Sequence, residues 1–496
     1  MPVILRATIG QMFLARVESS STRTAFRYKP SFNFETGDPV PPAQSKWTDL
    51  SFRRFYDRAR LASFGLLSLG VQPGEKVTLF SGTRVGAAFS EMAILGVRAT
   101  IHAIHPLTAT MTAAADLAGA RIAIAGNSEQ LLKLLEIEHP KLEKIVVIDP
   151  GAMRVAPLRQ WKSAFDPKNI LTLQALIELG RREEGRGPAR FNDHLQAASP
   201  NEIAYWTADA TPLTHAELID ATADLINQLG TGVRADRECA LSLLPPSDLF
   251  GKLEALVSTS LGSVRAFGRD PSKPERDFLD IQPTLLFTRP KLLENAYLKA
   301  EQQGASPLLD WLRPRRRTRE FGSRLRYAIC EGEPLYPESI PFFERSGTQL
   351  IITSEPREAQ EILVLETGEK ISPRKLERAV LRNRPIHQCV VWGDRKPFVT
   401  ALIVLDQKQV LAFATENHIL FSEYSELIKN QKVMFWVEKM IERVNEPLAP
   451  YERIRKFLIL PEELRIDRDE LTPDSEIRRE IVQSRYRTEF DKLYEA

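Results

Sequence analysis

The segment Tyr205–His215 carries hydroxyl side chains at a spacing that could hydrogen-bond an anion. It reads Tyr-Trp-Thr-Ala-Asp-Ala-Thr-Pro-Leu-Thr-His, with the candidate donors Thr207 and Thr211. A phosphate cradle also needs glycines, so that several backbone N–H groups converge on oxygen, and usually a cation. The segment contains neither glycine nor lysine. The alternative is that it forms a tight turn between a strand and a helix.

Two features of the charged residues bear on possible partners, namely one basic segment and the overall net charge. The segment Arg313–Arg319 holds five arginines in seven residues. It either touches anionic lipid headgroups or is a solvated connecting loop. Over the whole chain, 67 basic residues against 65 acidic ones leave a formal charge of +2. This balance gives no reason to expect nucleic acid as a partner.

The three cysteines, Cys239, Cys330 and Cys389, stand far apart, each inside an apolar run. Such spacing predicts buried free thiols in a reducing compartment, with neither a metal site nor a disulfide scaffold. No stretch reaches the ~18 apolar residues of a membrane span, and the first residues lack an apolar signal core. We therefore expect a cytoplasmic protein, with peripheral contact at the inner membrane face as the only membrane association.

Short apolar runs alternate with amphipathic helices from Trp47 to Pro150, and again from Glu238 to Thr353. This alternation predicts crossover units, mainly parallel sheets and an α/β region of two stacked layers. The polar segment Pro150–Pro200 between them is predicted to be an irregular surface excursion. The predicted strands are 77–80, 100–104, 121–125, 144–149, 238–244, 284–288, 326–330 and 349–353.

The pattern changes after Ser354. A charged connector is followed by a strand and turn at 361–370, a helix at Arg374–Asn383, and strands at Gln388–Trp392 and Thr400–Leu405. This predicts a second, α+β domain of about 140 residues, an ordinary size for an independent unit. We place the boundary near Glu355, which gives domains 1–355 and 356–496.

Seven segments, spread in order along nearly the whole chain, form a set of recognisable motifs. They are Leu69–Val77, Leu95–Thr100, His105–Thr108, Leu244–Phe250, Pro283–Tyr297, Glu331–Glu338 and Leu365–Glu377. Together they resemble the adenylate-forming superfamily, and most specifically its long-chain acyl-CoA synthetase branch. One of them, Leu244–Phe250, reads Leu-Pro-Pro-Ser-Asp-Leu-Phe and has Asp248 where the family has histidine.

The resemblance implies an enzyme that joins a fatty acid to ATP and then transfers the acyl group to coenzyme A, with Mg²⁺ at the phosphates. It also implies a large domain 1–355 that holds ATP and acid, and a small C-terminal lid domain 356–496. Against that pattern, the phosphate loop is shortened and has lost its glycines, so that only Thr207 and Thr211 remain as vestigial nucleotide contacts.

Two further family features are altered. Glu355 stands where the family has a magnesium-linked glutamate, but without the preceding aromatic-glycine pair, so it is either that ligand or a charged loop residue. The chain then passes almost at once to Glu361, which indicates that the ribose-side subdomain and its aspartate are missing. Removal of a wall of the site is hard to compensate.

The family also has a lysine near the C-terminus that stabilises charge during adenylation. In Leu471–Arg479 that position is Glu476, which would repel the developing anion. Arg478 or Arg479 would restore the charge only if the helix shifted, and otherwise both are solvated helix residues.

On the lid-domain side, Gly368 and Lys370 either approach coenzyme A, as the resemblance implies, or form an ordinary hairpin turn. Of the family-matched histidines, neither His105 nor His215 has a nearby carboxylate in sequence that argues for catalysis or metal.

The preferred hypothesis is a catalytically impaired acyl-CoA synthetase homologue, retained for binding, scaffolding or regulation, with no cofactor. Its partners would be a fatty acyl or acyl-CoA ligand and an active paralogue or another protein. The main alternative is an active ligase that uses ATP, Mg²⁺ and CoA with a rebuilt or partner-completed site. A third is transfer of an already activated acyl group.

Overall fold

The structure is a computed structural model. It describes residues 3–33, 36–108, 117, 119–137, 141–155, 165–185, 187–207, 211–271, 273–302, 319–332, 336, 338–353, 362–472 and 477–495.

The strands of these stretches are β1 Thr24–Tyr28, β2 Thr48–Ser51, β3 Lys76–Phe80, β4 Thr100–Ile104, β5 Ile122–Ala125, β6 Lys144–Val147, β7 Ile170–Thr172, β8 Ile203–Trp206, β9 Pro212–Thr214, β10 Cys239–Leu241, β11 Val264–Phe267, β12 Leu285–Thr288, β13 Tyr327–Glu331, β14 Gln349–Thr353, β15 Leu363–Val364, β16 Lys370–Ile371, β17 Ile386–Trp392, β18 Val399–Leu405 and β19 Ile454–Leu460. The α-helices are α1 Ile9–Ser20, α2 Phe52–Ser68, α3 Val85–Leu95, α4 Ser128–Leu135, α5 Ala152–Val155, α6 Leu173–Glu184, α7 Arg190–Ala197, α8 His215–Leu229, α9 Leu249–Leu261, α10 Glu275–Ile281, α11 Pro290–Gln302, α12 Ser339–Arg345, α13 Pro373–Leu381, α14 Gln407–Glu416, α15 Tyr424–Leu427, α16 Gln431–Asn445, α17 Arg479–Arg485 and α18 Arg487–Tyr494.

The first large sheet has the strand order β7-β6-β5-β3-β4-β8-β9. All neighbouring strands are parallel except β8 and β9, which form an antiparallel edge. The inner strands are buried along almost their full length. A parallel strand with helices on both faces requires a continuous apolar run, which these sequences supply.

The second large sheet repeats the arrangement, with the order β14-β13-β12-β10-β11-β1-β2. Again only the edge pair, β1 with β2, is antiparallel. Strand β10 takes the central position that β3 has in the first sheet, with β11 in place of β4 and β12 in place of β5. The prediction of two α/β layers with mainly parallel sheets is thereby confirmed.

An aromatic core joins the helices of the two layers. Phe55 of α2 lies 4.8 Å from Phe13 of α1 and 4.5 Å from Phe26 of β1, measured between ring centroids. Phe89 of α3 lies 5.8 Å from Phe55. All four rings are buried. Because α1 and β1 precede Trp47, this core depends on a part of the chain for which the sequence pattern predicted no element.

The prediction of an irregular excursion over Pro150–Pro200 is wrong. This segment supplies β7, the edge strand of the first sheet, and the helices α6 and α7. In α7, Phe191 and Leu195 are fully buried. Helix α6 approaches α2 so closely that a Cβ atom on Gly180 would lie 1.8 Å from the carbonyl oxygen of Leu61. The charged residues of these helices explain the polar composition that misled the prediction.

The smaller C-terminal part is α+β in type, also as predicted. Strand β18 pairs antiparallel with β17 and parallel with β19. Alternate residues serve two cores, because successive side chains of a strand point to opposite faces. Val391 and Ile403 pack with α13 and α16, whereas Val390 and Leu402 pack with α17 and α18.

Contacts divide the chain into two compact units. The first comprises Met1–Pro334 and Glu338–Thr353, and the second comprises Leu335–Pro337 and Ser354–Ala496. Each large sheet lies wholly in the first unit. Within the stretches that the structure describes, no helix has both the length and the apolar character needed to cross a membrane.

Candidate functional site

The two candidate threonines bond to each other. The Thr207 amide donates to the Thr211 carbonyl oxygen at 3.0 Å, and the Thr211 amide donates to Thr207 Oγ1 at 3.1 Å. The Thr207 hydroxyl also donates to the Thr211 carbonyl oxygen at 3.2 Å. Since β8 and β9 are antiparallel, these bonds close a β-hairpin. The segment thus reverses through an extra short strand before α8 begins.

Helix α8 begins directly after this hairpin with a capping box. Thr214 Oγ1 accepts from the Glu217 amide at 3.2 Å, and the Glu217 carboxylate accepts from the Thr214 amide at 2.8 Å. Two backbone donors of the first turn and its cap are thereby satisfied within the protein.

Three charged side chains meet at the carboxyl ends of neighbouring strands of the second sheet. Arg289 follows β12, and its Nη2 donates to Asp248 Oδ2 at 2.7 Å. Its Nη1 lies 2.8 Å from Oε2 of Glu331, the last residue of β13. Asp248 follows β10 and also caps α9, accepting from the amides of Phe250 and Gly251. Because β10, β12 and β13 are adjacent, sheet order alone brings these residues together. We call this set the Asp248–Arg289–Glu331 cluster.

The family-matched histidines are buried and act as hydrogen-bond acceptors. His105 Nδ1 accepts from the Leu107 amide at 3.2 Å, and His215 Nδ1 lies 3.4 Å from the Ile9 amide that donates to it. Burial lowers the pKa of each imidazole to about 4. A nearby carboxylate, which is Asp248 in the case of His105, opposes this lowering of the pKa only in part. Both rings are therefore neutral at pH 7.

A second charged group lies deeper, between α3 and α9. The Lys252 ammonium contacts the Glu91 carboxylate and lies 5.2 Å from the centroid of the Tyr205 ring. Burial lowers the pKa of Lys252 to about 7, while the adjacent Glu91 carboxylate favours the charged amine. Close by, Arg265 Nε lies 3.3 Å from Oε1 of the fully buried Glu254.

The Lys252–Glu91 pair borders a mainly apolar cavity of about 40 Å³. Such a volume holds one or a few water molecules. It does not accommodate a long acyl chain. A larger cavity of about 530 Å³ opens where the carboxyl ends of the two sheets meet.

In the second unit, Gly368 and Lys370 lie in the hairpin that joins β15 to β16. Gly368 has a φ of +93°, a conformation that favours glycine, and its amide donates to the Leu365 carbonyl oxygen at 2.9 Å. The Lys370 side chain is exposed. The turn therefore has a clear backbone reason for its glycine, and Lys370 is accessible to a ligand.

Arg479, predicted as a solvated helix residue, is instead largely buried in the second unit, and that expectation is wrong. Its guanidinium bonds both carboxylate oxygens of Glu377, at 2.8 and 3.2 Å, and the Val391 carbonyl oxygen at 2.8 Å. Arg478 lies 3.6 Å from Asp469.

Other candidates lie outside the described residues, namely Glu355, Glu476 and Arg313–Thr318. Where the chain is described, no group of three or more His, Cys, Asp or Glu side chains is placed to hold a metal ion. The three cysteines are unpaired thiols.

Sequence reasoning did not single out Arg289, Glu331 or Lys252 as site residues, nor Arg84, which lines the larger cavity. The first two and Arg84 each lie at or just after the carboxyl end of a predicted strand, which is where side chains gather in parallel sheets. That position was a usable signal. Lys252 gave none, because a lysine in a helix is usually solvated.

Two large sheets with the same strand order, followed by a small α+β unit, define the fold of adenylate-forming enzymes. The A domain of carboxylic acid reductase from Segniliparus rugosus has this fold, with a TM-score of 0.76 at 16% identity over 98% of this chain and 94% of that one. A benzoate CoA ligase from Burkholderia xenovorans gives a TM-score of 0.59 at 15% identity, over 96% of this chain and 99% of that one.

The chain belongs to the AMP-binding enzyme family, whose model matches residues 16–354. The model of the AMP-binding enzyme C-terminal domain matches residues 360–496. These matches confirm the resemblance drawn from the sequence motifs. The family uses ATP, Mg²⁺ and CoA, and the chain is acyl-CoA synthetase-like.

Curated relatives match over a shorter stretch. Long-chain-fatty-acid–CoA ligase FadD15 of Mycobacterium tuberculosis is 29% identical over 136 residues, which are 27% of this chain and 23% of that protein. Human long-chain-fatty-acid–CoA ligase 1 is 29% identical over 136 residues, 27% of this chain and 19% of that protein. The aligned region thus spans less than a quarter of either relative.

Proposed function

We propose that this protein is an acyl-CoA synthetase homologue that no longer carries out ATP-dependent ligation and is retained to bind an acyl ligand or a protein partner. The observation that carries the proposal is the Asp248–Arg289–Glu331 cluster. In this cluster two carboxylates contact one guanidinium at the carboxyl ends of β10, β12 and β13, so that Arg289 is engaged within the protein. A guanidinium that already bonds two carboxylates is less available to the phosphates of a nucleotide.

The hairpin around Thr207 and Thr211 supports the same proposal. Their amides and the Thr207 hydroxyl bond within the hairpin. The sequence between them offers no glycine or lysine to replace these donors. Residues 207 and 211 therefore do not fit a phosphate cradle.

An acyl ligand is proposed because the relatives that match this chain are fatty acid–CoA ligases by name. The exposed turn with Gly368 and Lys370 would be the part of the second unit that contacts the coenzyme A moiety of such a ligand. The same similarity to ligases is the basis for proposing a protein partner, such as an active paralogue. A homologue that does not ligate can still position or regulate a catalytically active relative.

The proposal is tested with the full-length protein, ATP, Mg²⁺, CoA and a long-chain fatty acid, by measuring pyrophosphate release and acyl-CoA formation. We expect neither above a no-enzyme control. An adenylate-forming ligase assayed in parallel verifies the reagents. ATP-dependent pyrophosphate release that requires the fatty acid would overturn the proposal, and its loss in Thr207→Val or Arg478→Gln would favour an active ligase with a rebuilt site.

Ligand binding is measured separately by thermal shift with ATP·Mg²⁺, an acyl-CoA and a free fatty acid. A ligand that binds only the native state raises the unfolding temperature with occupancy. We expect a response to the acyl-CoA or the fatty acid and none to ATP·Mg²⁺. Lys370→Ala should weaken an acyl-CoA response but leave a fatty acid response unchanged. A response to ATP·Mg²⁺ alone would contradict the proposal.

A further inference from the structure

The cavity of about 530 Å³ in the first unit lies at a topological switch point. In the first sheet, β4 lies on one side of β3 and β5 on the other, so the loops after β3 and β5 diverge. A crevice of this kind at the carboxyl ends of an open α/β sheet commonly binds ligands. The loops after β3, β4, β5 and β6 line the cavity together with those after β1, β10 and β11 of the second sheet. Its volume suits an organic molecule.

The first turn of α3 presents unbonded amides to this cavity. Arg84 is the N-cap residue of α3, but its side chain makes no capping bond. Among the described residues, the amides of Val85 and Gly86 have no hydrogen-bond acceptor. Both residues line the cavity. The positive end of an 11-residue helix therefore points to this space.

Arg84 itself lines the cavity with an incompletely bonded guanidinium. Its Nη1 donates to the Gly126 carbonyl oxygen at 2.6 Å, whereas its buried Nε has no hydrogen-bond partner. Where the chain is described, no carboxylate oxygen lies within ion-pair distance of Arg84. Burial lowers the pKa of the guanidinium, and the nearby Asp149 carboxylate opposes this. A buried cation in this state gains free energy when an anion completes its bonds.

The other cations of the cavity already have partners. Lys29 Nζ lies 2.6 Å from Asp277 and 3.1 Å from Asp280. Arg269 is exposed at the rim, where its Nη1 donates to the Val40 carbonyl oxygen at 3.1 Å. An anion in the cavity is therefore drawn to Arg84 rather than to these residues.

Asp149 adds a second requirement to the ligand. It follows β6, lines the cavity and accepts from the Gly151 amide at 2.9 Å through Oδ1. A carboxylate beside Arg84 weakens binding of an anion unless the ligand also donates a hydrogen bond to it. Phe32, Pro106 and Leu107 supply an apolar wall.

We propose that this cavity binds a small organic oxyanion, either a carboxylate or a phosphate ester, that also carries a hydroxyl group. Its oxyanion bonds Arg84 and the first amides of α3, its hydroxyl donates to Asp149, and its body packs on the apolar wall. None of these contacts involves Asp248, Arg289 or Glu331, and the proposal does not depend on whether the protein ligates acyl groups.

The test uses the full-length protein and isothermal titration calorimetry at constant ionic strength. The probes are mandelate for the carboxylate arm and glycerol 3-phosphate for the phosphate-ester arm, with 1-phenylethane-1,2-diol as the neutral analogue of mandelate. We expect saturable binding of at least one oxyanion. The oxyanion that binds more tightly identifies the headgroup as a carboxylate or a phosphate ester. If neither oxyanion binds more tightly than the diol, the proposal is overturned.

Three variants locate the binding. Arg84→Gln should weaken the oxyanion by about tenfold or more, because a charge-assisted hydrogen bond is lost. Arg269→Gln removes the same charge from the rim and should change affinity by less than about threefold. Equal losses in the two variants would sink the idea. Should Arg84→Gln fail to fold, Gly82→Leu decides. Gly82 lines the cavity, and a Cβ atom there would meet only Pro106, at 3.9 Å. Once circular dichroism shows that Gly82→Leu is folded, we expect the oxyanion to lose affinity, and unchanged affinity would overturn the proposal.

Discussion

Lys252 and Glu91 form a charged pair whose side chains are only 6% and 11% exposed. The pair lies between α3 and α9, where both side chains are largely removed from bulk solvent. Breaking a buried pair is costly because the remaining charge is left uncompensated, whereas replacing both members with apolar groups is often nearly neutral. Because of this asymmetry, comparing a single substitution with the double substitution tests the packing between the two layers.

We expect Lys252→Met to lower the free energy of unfolding by about 3–5 kcal/mol, and the double variant Lys252→Met with Glu91→Leu to recover most of that loss. Urea denaturation, followed through the unfolding transition of the first unit, measures the free energy of unfolding of both variants. As a control, Arg27→Gln breaks an exposed pair with Asp49 and should cost about 1 kcal/mol or less. A double variant as unstable as the sum of its singles would contradict this account.

His215 predicts a dependence of stability on pH. Its folded pKa of about 4 lies below the value of 6.5 expected when unfolded, so the unfolded chain binds the proton more readily. Stability is therefore fully present above pH 6.5 and falls as the pH is lowered towards 4. His102 and His105 have pKa values lowered to about 4 by the same burial and act in the same direction.

The expected loss is on the order of 1–3 kcal/mol for each histidine between pH 6.5 and pH 4. Denaturant midpoints measured across this range, for the natural protein and for His215→Gln, check it. The variant should show a shallower decline, because glutamine does not titrate. Parallel curves for the two proteins would show that His215 is not a source of the dependence.

At the scale of elements, the short hairpin β8–β9 and helix α8 form one local unit. The capping box of Thr214 and Glu217 fixes where α8 begins, directly after the β8–β9 hairpin. Sequence reasoning gave a tight turn between a strand and a helix as one alternative for this segment, without predicting where the helix begins. It did not foresee β9, because three residues beginning with proline give no strand signal.

We expect Thr214→Ala to lower stability by about 1 kcal/mol through loss of the cap, and Thr214→Ser to change it by only a few tenths, since serine retains the hydroxyl. Thermal denaturation of the two variants side by side measures the difference. If alanine and serine behave alike, the cap does not contribute to the stability of this region.

The segment Pro150–Pro200 is a second place where the sequence prediction missed regular structure. Its charged helix faces hid an apolar stripe, so composition indicated a loop where β7, α6 and α7 complete the first layer. Gly180 allows α6 to approach α2 closely. Such an approach is a relation between two helices, and local sequence carries no record of it.

At the scale of the whole molecule, the chain consists of two units with separate cores. Each sheet of the described residues is contained in one unit. A unit with its own core and complete sheets is expected to fold independently.

Fragments 1–353 and 354–496, produced separately, should each unfold cooperatively in a denaturant titration followed by circular dichroism. Their midpoints should fall near the corresponding transitions of the full chain. A fragment 354–496 without a cooperative transition would show that its core needs the first unit.

The sequence by itself determined the fold class, most of the inner strands and the family, because buried parallel strands require continuous apolar runs and because the matching motifs lie in order along the chain. It also determined that residues 207–214 contain no glycine and no lysine. Only the tertiary structure decided that Arg289 lies between Asp248 and Glu331, that Lys252 is buried against Glu91, and that Arg84 lines a cavity between the two sheets. These residues are separated by tens to hundreds of positions in the chain, and what joins them is strand order and helix packing, which no local pattern of residues encodes.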